Sequence, residues 1–405
     1  MNVLFLSELF YPHGGGAELA TYLYAKLLGE SEFNVVVVTN RFSGEPEFSR
    51  NEGFAVYRLP LFKRGKSVKY SVLLRVDVLF SSFLRKWVKW ADVVYVPRYW
   101  FSAIPFAKSC GKPVITHLHD YVPICPLATF FNSKKGRVCE NTLCSLNCIY
   151  WNEKKNFSLL KAAGSALLNF SIYRFLKRCI KSSDAVLCVS KAQRDILAMY
   201  APRLASKLSV IYNPMPKLSP IAINGGDFGF FGGASYMKGF PILKKALEYG
   251  ILRGLEPITV HGTKFKNLEK HFVDRLRALG FLVYGKLGNL DFEKIYGMTK
   301  AVIVPSVWHE PLPYVVAEAL LRGRVVIASR VGGIPELLCG CEGAFMTDAG
   351  NYKHLAEIID YVDNMNVESV VDLGLKNRHI FLNRFSTQDS FNAFSDVLRA
   401  VSRHF

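Results

Sequence analysis

Two carboxylates, Glu310 and Glu318, stand eight residues apart in the segment PSVWHEPLPYVVAEALL, residues 305–321. On a helix that separation spans on the order of 12 Å, too far for an acid/base pair working on one glycosidic bond. It suits two contacts on one long ligand, and it equally suits two solvated carboxylates near a helix start. The other residue types with chemical use are Lys238, in FFGGASYMKGF, and His117, His119 and Asp120, in THLHDY. Gly14, Gly15 and Gly16 form a triplet just before Glu18, and their lack of side chains lets backbone come close to a phosphate or an acceptor. The triplet is not a G-x-G-x-x-G fingerprint, so it does not point to a nicotinamide or flavin.

These residues need elements to position them. The segments NVLFL, FNVVVVTN, ADVVYVPR, KPVITHLHD and SDAVLCVS are short apolar runs, and helical periods lie between them, the first over 17–28. Apolar runs alternating with helices predict a parallel sheet covered on both faces. The pattern lapses into Pro, Ser, Lys and Asn over 214–224, a linker, and then restarts with DFGFFGGAS, PITVHG, LVYGKLG, KAVIVPS and RVVIASR. The chain therefore reads as two α/β arrays, over 1–212 and 222–385, with a last helix over 386–405 assigned to the first. In such sheets ligands sit beyond the carboxyl ends of the strands. Gly14–Gly16, His119, Lys238 and Glu310 all follow strand ends, and a helix start after Pro311 and Pro313 favours an anion such as a diphosphate.

The segment over 305–338, with its two glutamates separated by seven residues and GGIPELL following, resembles the signature of the family 4 glycosyltransferases. That resemblance implies the GT-B fold: two Rossmann-like doubly wound domains facing a central cleft, which close over a nucleotide sugar. It implies that Glu310 binds hydroxyls of the donor sugar and Glu318 those of the ribose, and that backbone around Leu312, Pro313 and Tyr314 faces the diphosphate. Gly15 and Gly16 resemble the family's first Gly-rich loop, on the donor. His119-Asp120 resembles the pair beside the donor sugar, making His119 and Glu310 the catalytic candidates and Asp120 a residue of the acceptor side. Lys238-Gly239 matches a pattern in which an Arg and a Lys, five residues apart, neutralise the diphosphate, but Gly233 stands where the Arg is expected.

The activity so implied is retaining transfer of a hexose-type sugar from a UDP- or GDP-sugar to a glycan or a lipid-linked acceptor. No protein nucleophile stands in a suitable place, so front-face substitution is expected, and the sequence shows no Asp-x-Asp metal motif and implies no required cofactor. A sugar-nucleotide epimerase, a phosphorylase and a non-catalytic sugar-nucleotide binder are the alternatives; no pyridoxal-binding lysine motif supports the phosphorylase.

The formal net charge of +18 favours anionic partners. Residues 63–90 hold eight Lys or Arg against Asp77 alone, and residues 151–181 hold seven against Glu153 alone. Over the first stretch, Val72, Val76, Leu79, Phe80, Phe83 and Trp87 predict one apolar helix face, with Arg75, Arg85, Lys86 and Lys89 on the other side. A basic amphipathic helix predicts peripheral contact with an anionic membrane. No nucleic-acid-binding motif accompanies the charge. The start of the chain lacks the basic n-region of a secretory signal, and the expectation is a cytoplasmic protein, peripheral on the inner face of the membrane. Cys125, Cys139, Cys144 and Cys148 fall within 24 residues and read either as a structural zinc knuckle or as free thiols.

Overall fold

The structure is a computed structural model that describes residues 1–62, 76–132, 134–142, 145–154, 157–265, 269–285 and 288–403. The chain divides into two compact units: Met1–Met215 together with Ser386–Phe405, and Pro216–Phe385. Residues 211–226, which run from one unit to the other, form neither helix nor strand.

In the first unit an eight-stranded sheet comprises β1 (Asn2–Leu6), β2 (Asn34–Asn40), β3 (Phe48–Asn51), β4 (Phe54–Leu59), β5 (Val93–Val96), β6 (Val114–Leu118), β9 (Ala185–Cys188) and β10 (Leu208–Val210), while β7 (Phe131–Asn132) and β8 (Arg137–Val138) form a small hairpin. The order is β10-β9-β6-β5-β1-β2-β4-β3, parallel throughout except for edge strand β3. Strand order reverses beside β1, which pairs with β2 on one side and β5 on the other. The run Val35–Val38 is buried because helices cover both faces of the sheet. The helix Thr387–Arg403 belongs to this cover: Phe394 packs against Tyr24 and Tyr95 at ring distances of 4.5 and 4.9 Å, and Leu398 joins the same core.

The second unit holds six parallel strands, β11 (Asp227–Phe230), β12 (Val260–Gly262), β13 (Phe281–Val283), β14 (Thr299–Val304), β15 (Val325–Ser329) and β16 (Ala344–Thr347). Their order, β13-β12-β11-β14-β15-β16, is that of a Rossmann sheet, with the switch point between β11 and β14. Phe228, Phe230, Phe240 and Phe281 fill the core on one face, each contributing roughly 1.5–3 kcal/mol through burial. Both units are thus α/β and doubly wound.

The predicted helix over residues 63–90 is corrected. Residues 63–75 lie outside the described residues, and the remainder forms two short helices, Val76–Leu79 and Ser82–Trp90. The break falls at Phe80-Ser81 because Ser81 takes an extended backbone and its Oγ accepts the Leu84 N–H at 3.2 Å, capping the second helix. That helix buries Leu84 and Val88, while Phe80 is 62% exposed, so the buried face is turned from the one predicted.

Candidate functional site

In the second unit the site is built where two loops leave the switch point. Gly239, at φ 80°, sits so close to the other loop that a Cβ there would lie 1.7 Å from the Pro305 carbonyl oxygen. The Val307 N–H donates to the Met237 carbonyl at 2.9 Å, lacing the loops together. This brings Lys238 onto Glu310: its Nζ lies 2.7 and 2.9 Å from the two carboxylate oxygens. Ser306 Oγ donates to Glu310 Oε1 at 2.7 Å. The Trp308 ring lies 5.4 Å from the same ammonium. Glu310 is buried and Lys238 is half exposed, so the pair joins a shielded carboxylate to a cation within reach of solvent.

Gly332 and Gly333 explain why a Gly-Gly follows. The Gly333 N–H donates to the Glu310 carbonyl at 2.8 Å. Gly332, at φ 53°, packs so tightly that a Cβ would meet the same carbonyl oxygen at 2.1 Å. The two glycines therefore hold the backbone of Glu310. The helix Tyr314–Leu321 starts behind Pro313 with no side-chain cap, and the first N–H groups of a helix have no partner within it. Leu312, Pro313 and Tyr314 are buried around that start. Only the second half of the Glu310–Glu318 interval is helical, so the spacing of about 12 Å expected of a continuous helix does not apply. Burial raises the Glu318 carboxyl above its ordinary range, while the charges of Lys264 and Arg322 pull it down.

In the first unit the Gly triplet also follows the strand at the switch, here β1. Gly14 has φ 98°, and a Cβ on it would collide with the Glu18 side chain at 2.3 Å. Glu18 reaches back so that its Oε2 accepts the Gly15 N–H at 2.6 Å, closing the start of the helix Gly16–Gly29. Its other oxygen lies 3.2 Å from Arg98 Nε, and Arg98 Nε lies 3.5 Å from Glu8 Oε1. Arg98 follows β5, so both sides of the switch contribute to this buried cluster. Burial pushes the Glu8 carboxyl up to about 7, Arg98 opposes this, and the charge of Glu18 adds to it. Burial also holds the Tyr99 phenol well above its ordinary range, aided by the neighbouring Asp120.

His117 and His119 follow on β6 and just past its end. Burial lowers the His117 imidazole to about 3, and its Nδ1 lies 2.8 Å from the Tyr95 hydroxyl. His119 is held well below the ordinary histidine range by burial and by the neighbouring His117 and Arg98. It is therefore neutral at about pH 7, and its Nε2 has no hydrogen-bond partner among the described residues. Asp120 is fixed differently: its Oδ1 accepts the Val122 N–H at 2.9 Å, and its carbonyl accepts from Gln193 at 3.0 Å.

Residues 14–216 match the family described as Glycosyltransferase Family 4, and residues 228–382 match Glycosyl transferases group 1. The chain is a family 4 glycosyltransferase. It is similar to an uncharacterized 42.6 kDa protein in the cps region of Klebsiella pneumoniae, 22% identical over 367 residues, covering 83% of this chain and 87% of that one. It is also similar to a component of the human phosphatidylinositol N-acetylglucosaminyltransferase, 23% identical over 349 residues, which covers 83% of this chain and 63% of that one. Among solved structures, Anabaena Alr3699/HepE in complex with UDP aligns over 99% of this chain and 100% of its own, with a TM-score of 0.64 at 20% identity. The fold is GT-B.

Within this glycosyltransferase the sequence-predicted residues fall into two separate groups. Lys238, Glu310, Leu312, Pro313, Tyr314 and Glu318 gather at the switch point of the second sheet. Gly15, Gly16, His119 and Asp120 gather at the carboxyl edge of the first. Lys238, expected on a phosphate, lies against Glu310 in this structure. Of the four cysteines, Cys144 lies outside the described residues. No group of three or more His, Cys, Asp or Glu side chains able to hold a metal occurs among the described residues. Glu8 and Arg98, in the cluster with Glu18, and Lys264, whose charge acts on Glu318, are not among the sequence-predicted residues. A charged residue at the carboxyl end of a buried strand was the available signal for the first two.

Proposed function

We propose that this glycosyltransferase binds a UDP- or GDP-sugar on its second unit and transfers a hexose-type sugar, with retention, to a glycan or a lipid-linked acceptor. The observation that carries the reading is the Lys238–Glu310 pair at the β11/β14 switch point, beside an uncapped helix start. The dipole of the helix Tyr314–Leu321 and the cation of Lys238 favour a diphosphate, whose charge grows as the glycosidic bond breaks. Glu310 offers its carboxylate to sugar hydroxyls, and Glu318 offers its own to the ribose. The neutral His119 offers Nε2 to a hydroxyl without adding charge. In this front-face scheme the chain's own residues position the reactants and stabilise charge, and the leaving phosphate receives the acceptor proton. The UDP found in the Anabaena relative supports a uridine donor. No metal or cofactor is required in this scheme.

The acceptor side is proposed from charge and exposed apolar surface. On the helix Leu159–Lys181, Leu160 is 89% exposed and Leu167 and Leu168 are also exposed. Further along it, Arg174, Lys177, Arg178 and Lys181, with Arg203, line a cavity of about 550 Å³ that contains no acidic side chain. Burial and the neighbouring Lys181 lower the Lys177 ammonium below its ordinary range. Apolar and basic residues on one helix suit peripheral contact with an anionic lipid surface. No helix among the described residues is long and apolar enough to cross a membrane.

The test is a thermal-shift panel of UDP-, GDP- and ADP-sugars, since a ligand that binds only the folded state raises the melting temperature. The expected outcome is a shift with one donor class, followed by transfer with retained anomeric configuration. Release of free nucleotide without an acceptor would instead favour an epimerase. A second reading, donor binding without transfer, is favoured by Gly233 in place of an arginine and would be shown by a shift with no turnover.

A further inference from the structure

Gly233 and Lys264 lie beside one another at the carboxyl edge of the second sheet, just past the neighbouring strands β11 and β12. Gly233 has φ 65°, and a Cβ on it would lie 2.8 Å from the Lys264 carbonyl oxygen and 3.3 Å from Lys264 Cβ. The left-handed backbone and the close approach together exclude an arginine from this position. Lys264 is itself left-handed, at φ 66°, one of three such non-glycine residues among the described ones. Its turn is pinned on both sides: the Thr263 N–H donates to the Phe230 carbonyl at 3.1 Å and the Lys264 N–H to the Gly285 carbonyl at 3.0 Å.

A glycine would take that conformation without strain, yet the position carries a long cation. The Lys264 side chain is exposed, and its charge is felt at Glu318. Beside it, the buried Thr263 Oγ1 has no hydrogen-bond partner among the described residues. Lys238, another cation at this edge, already faces both oxygens of Glu310. Strain retained under a charged side chain, next to an unsatisfied hydroxyl, is characteristic of a ligand site.

We infer that Lys264 is the second cation of the donor site, binding the phosphoryl oxygens of the nucleotide in place of the arginine that Gly233 cannot be. The inference rests on the nucleotide-sugar reading and adds a residue to it.

The test is calorimetric binding of UDP, GDP and ADP, with uridine, guanosine and adenosine as phosphate-free controls, to the whole chain and to its Lys264→Gln, Lys264→Arg and Lys264→Gly variants. Lys264→Gln is expected to weaken the tightest diphosphate about tenfold or more and leave the matching nucleoside unchanged, whereas Lys264→Arg keeps most of the affinity. Lys264→Gly is expected to weaken the diphosphate while raising the melting temperature, because strain is relieved. A merely structural lysine would not move binding and stability in opposite directions. Wild-type diphosphate affinity in both Lys264→Gln and Lys264→Gly would overturn the inference alone. A wild-type chain that binds none of the diphosphates would overturn the donor reading and this inference with it.

Discussion

Replacing Glu8 with Gln is expected to stabilise the first unit at high pH and to do little at low pH. Glu8 is fully buried, with its carboxyl raised from 4.5 to about 7. At about 1.4 kcal/mol per pH unit, ionising it in place costs about 3 kcal/mol. A carboxyl raised in the folded state contributes stability that is fully present below its unfolded value near 4.5 and is lost as pH rises towards 7. Glutamine copies the protonated form and keeps its volume, so the variant should match the parent near pH 4.5 and exceed it at about pH 8. The difference at about pH 8 should approach about 3 kcal/mol. For a unit of this size that is about 6–12 °C in Tm. The assay is thermal unfolding of parent and variant from about pH 4.5 to about pH 8, read as their difference so that other titrating groups cancel. A difference that stays flat with pH, or a variant less stable at the alkaline end, would refute the buried, reluctantly ionised Glu8.

Gly332→Ala should cost about 2 kcal/mol or more, because a Cβ must fit 2.1 Å from the Glu310 carbonyl oxygen at φ 53°; chemical denaturation would measure it, and nucleotide-sugar binding should fall with it. Glu318→Ala should abolish the thermal shift given by the best nucleotide sugar while leaving the unliganded melting temperature within a few degrees, and a full shift would remove the ribose assignment. Pairing Leu160→Ser with Leu167→Ser should reduce co-sedimentation with phosphatidylglycerol-containing vesicles without altering binding of the nucleotide sugar. Equal sedimentation of parent and variant would argue against that surface.

Much of the candidate site on the second unit was legible because its signals are local. A buried strand, a loop with Glu310, a helix start and a Gly-Gly follow each other within 305–338, so chain order alone brings them near one strand end. The alternation of apolar runs and helical periods likewise announced two parallel sheets. The helix over 63–90 was misread because periodicity counts apolar residues and takes no account of Ser81, whose side chain offered the backbone a cap at the point where the pattern looked continuous. Residues distant in the chain were harder. Nothing near Glu8 or Glu18 in sequence indicates Arg98, which meets them only because β5 pairs beside β1.

What the sequence by itself determined is the buried strands of the two arrays and the residues at their ends, since both depend on side chains within a turn or a strand of one another. What only the tertiary structure decided is who faces whom. Lys238 lies on Glu310, 72 residues away, because β11 and β14 are neighbours. Gly233 is closed to any side chain because the turn after β12 passes 2.8 Å from where a Cβ would stand. Strand pairing between distant segments sets these distances, and hard-core repulsion at close approach turns them into choices of residue.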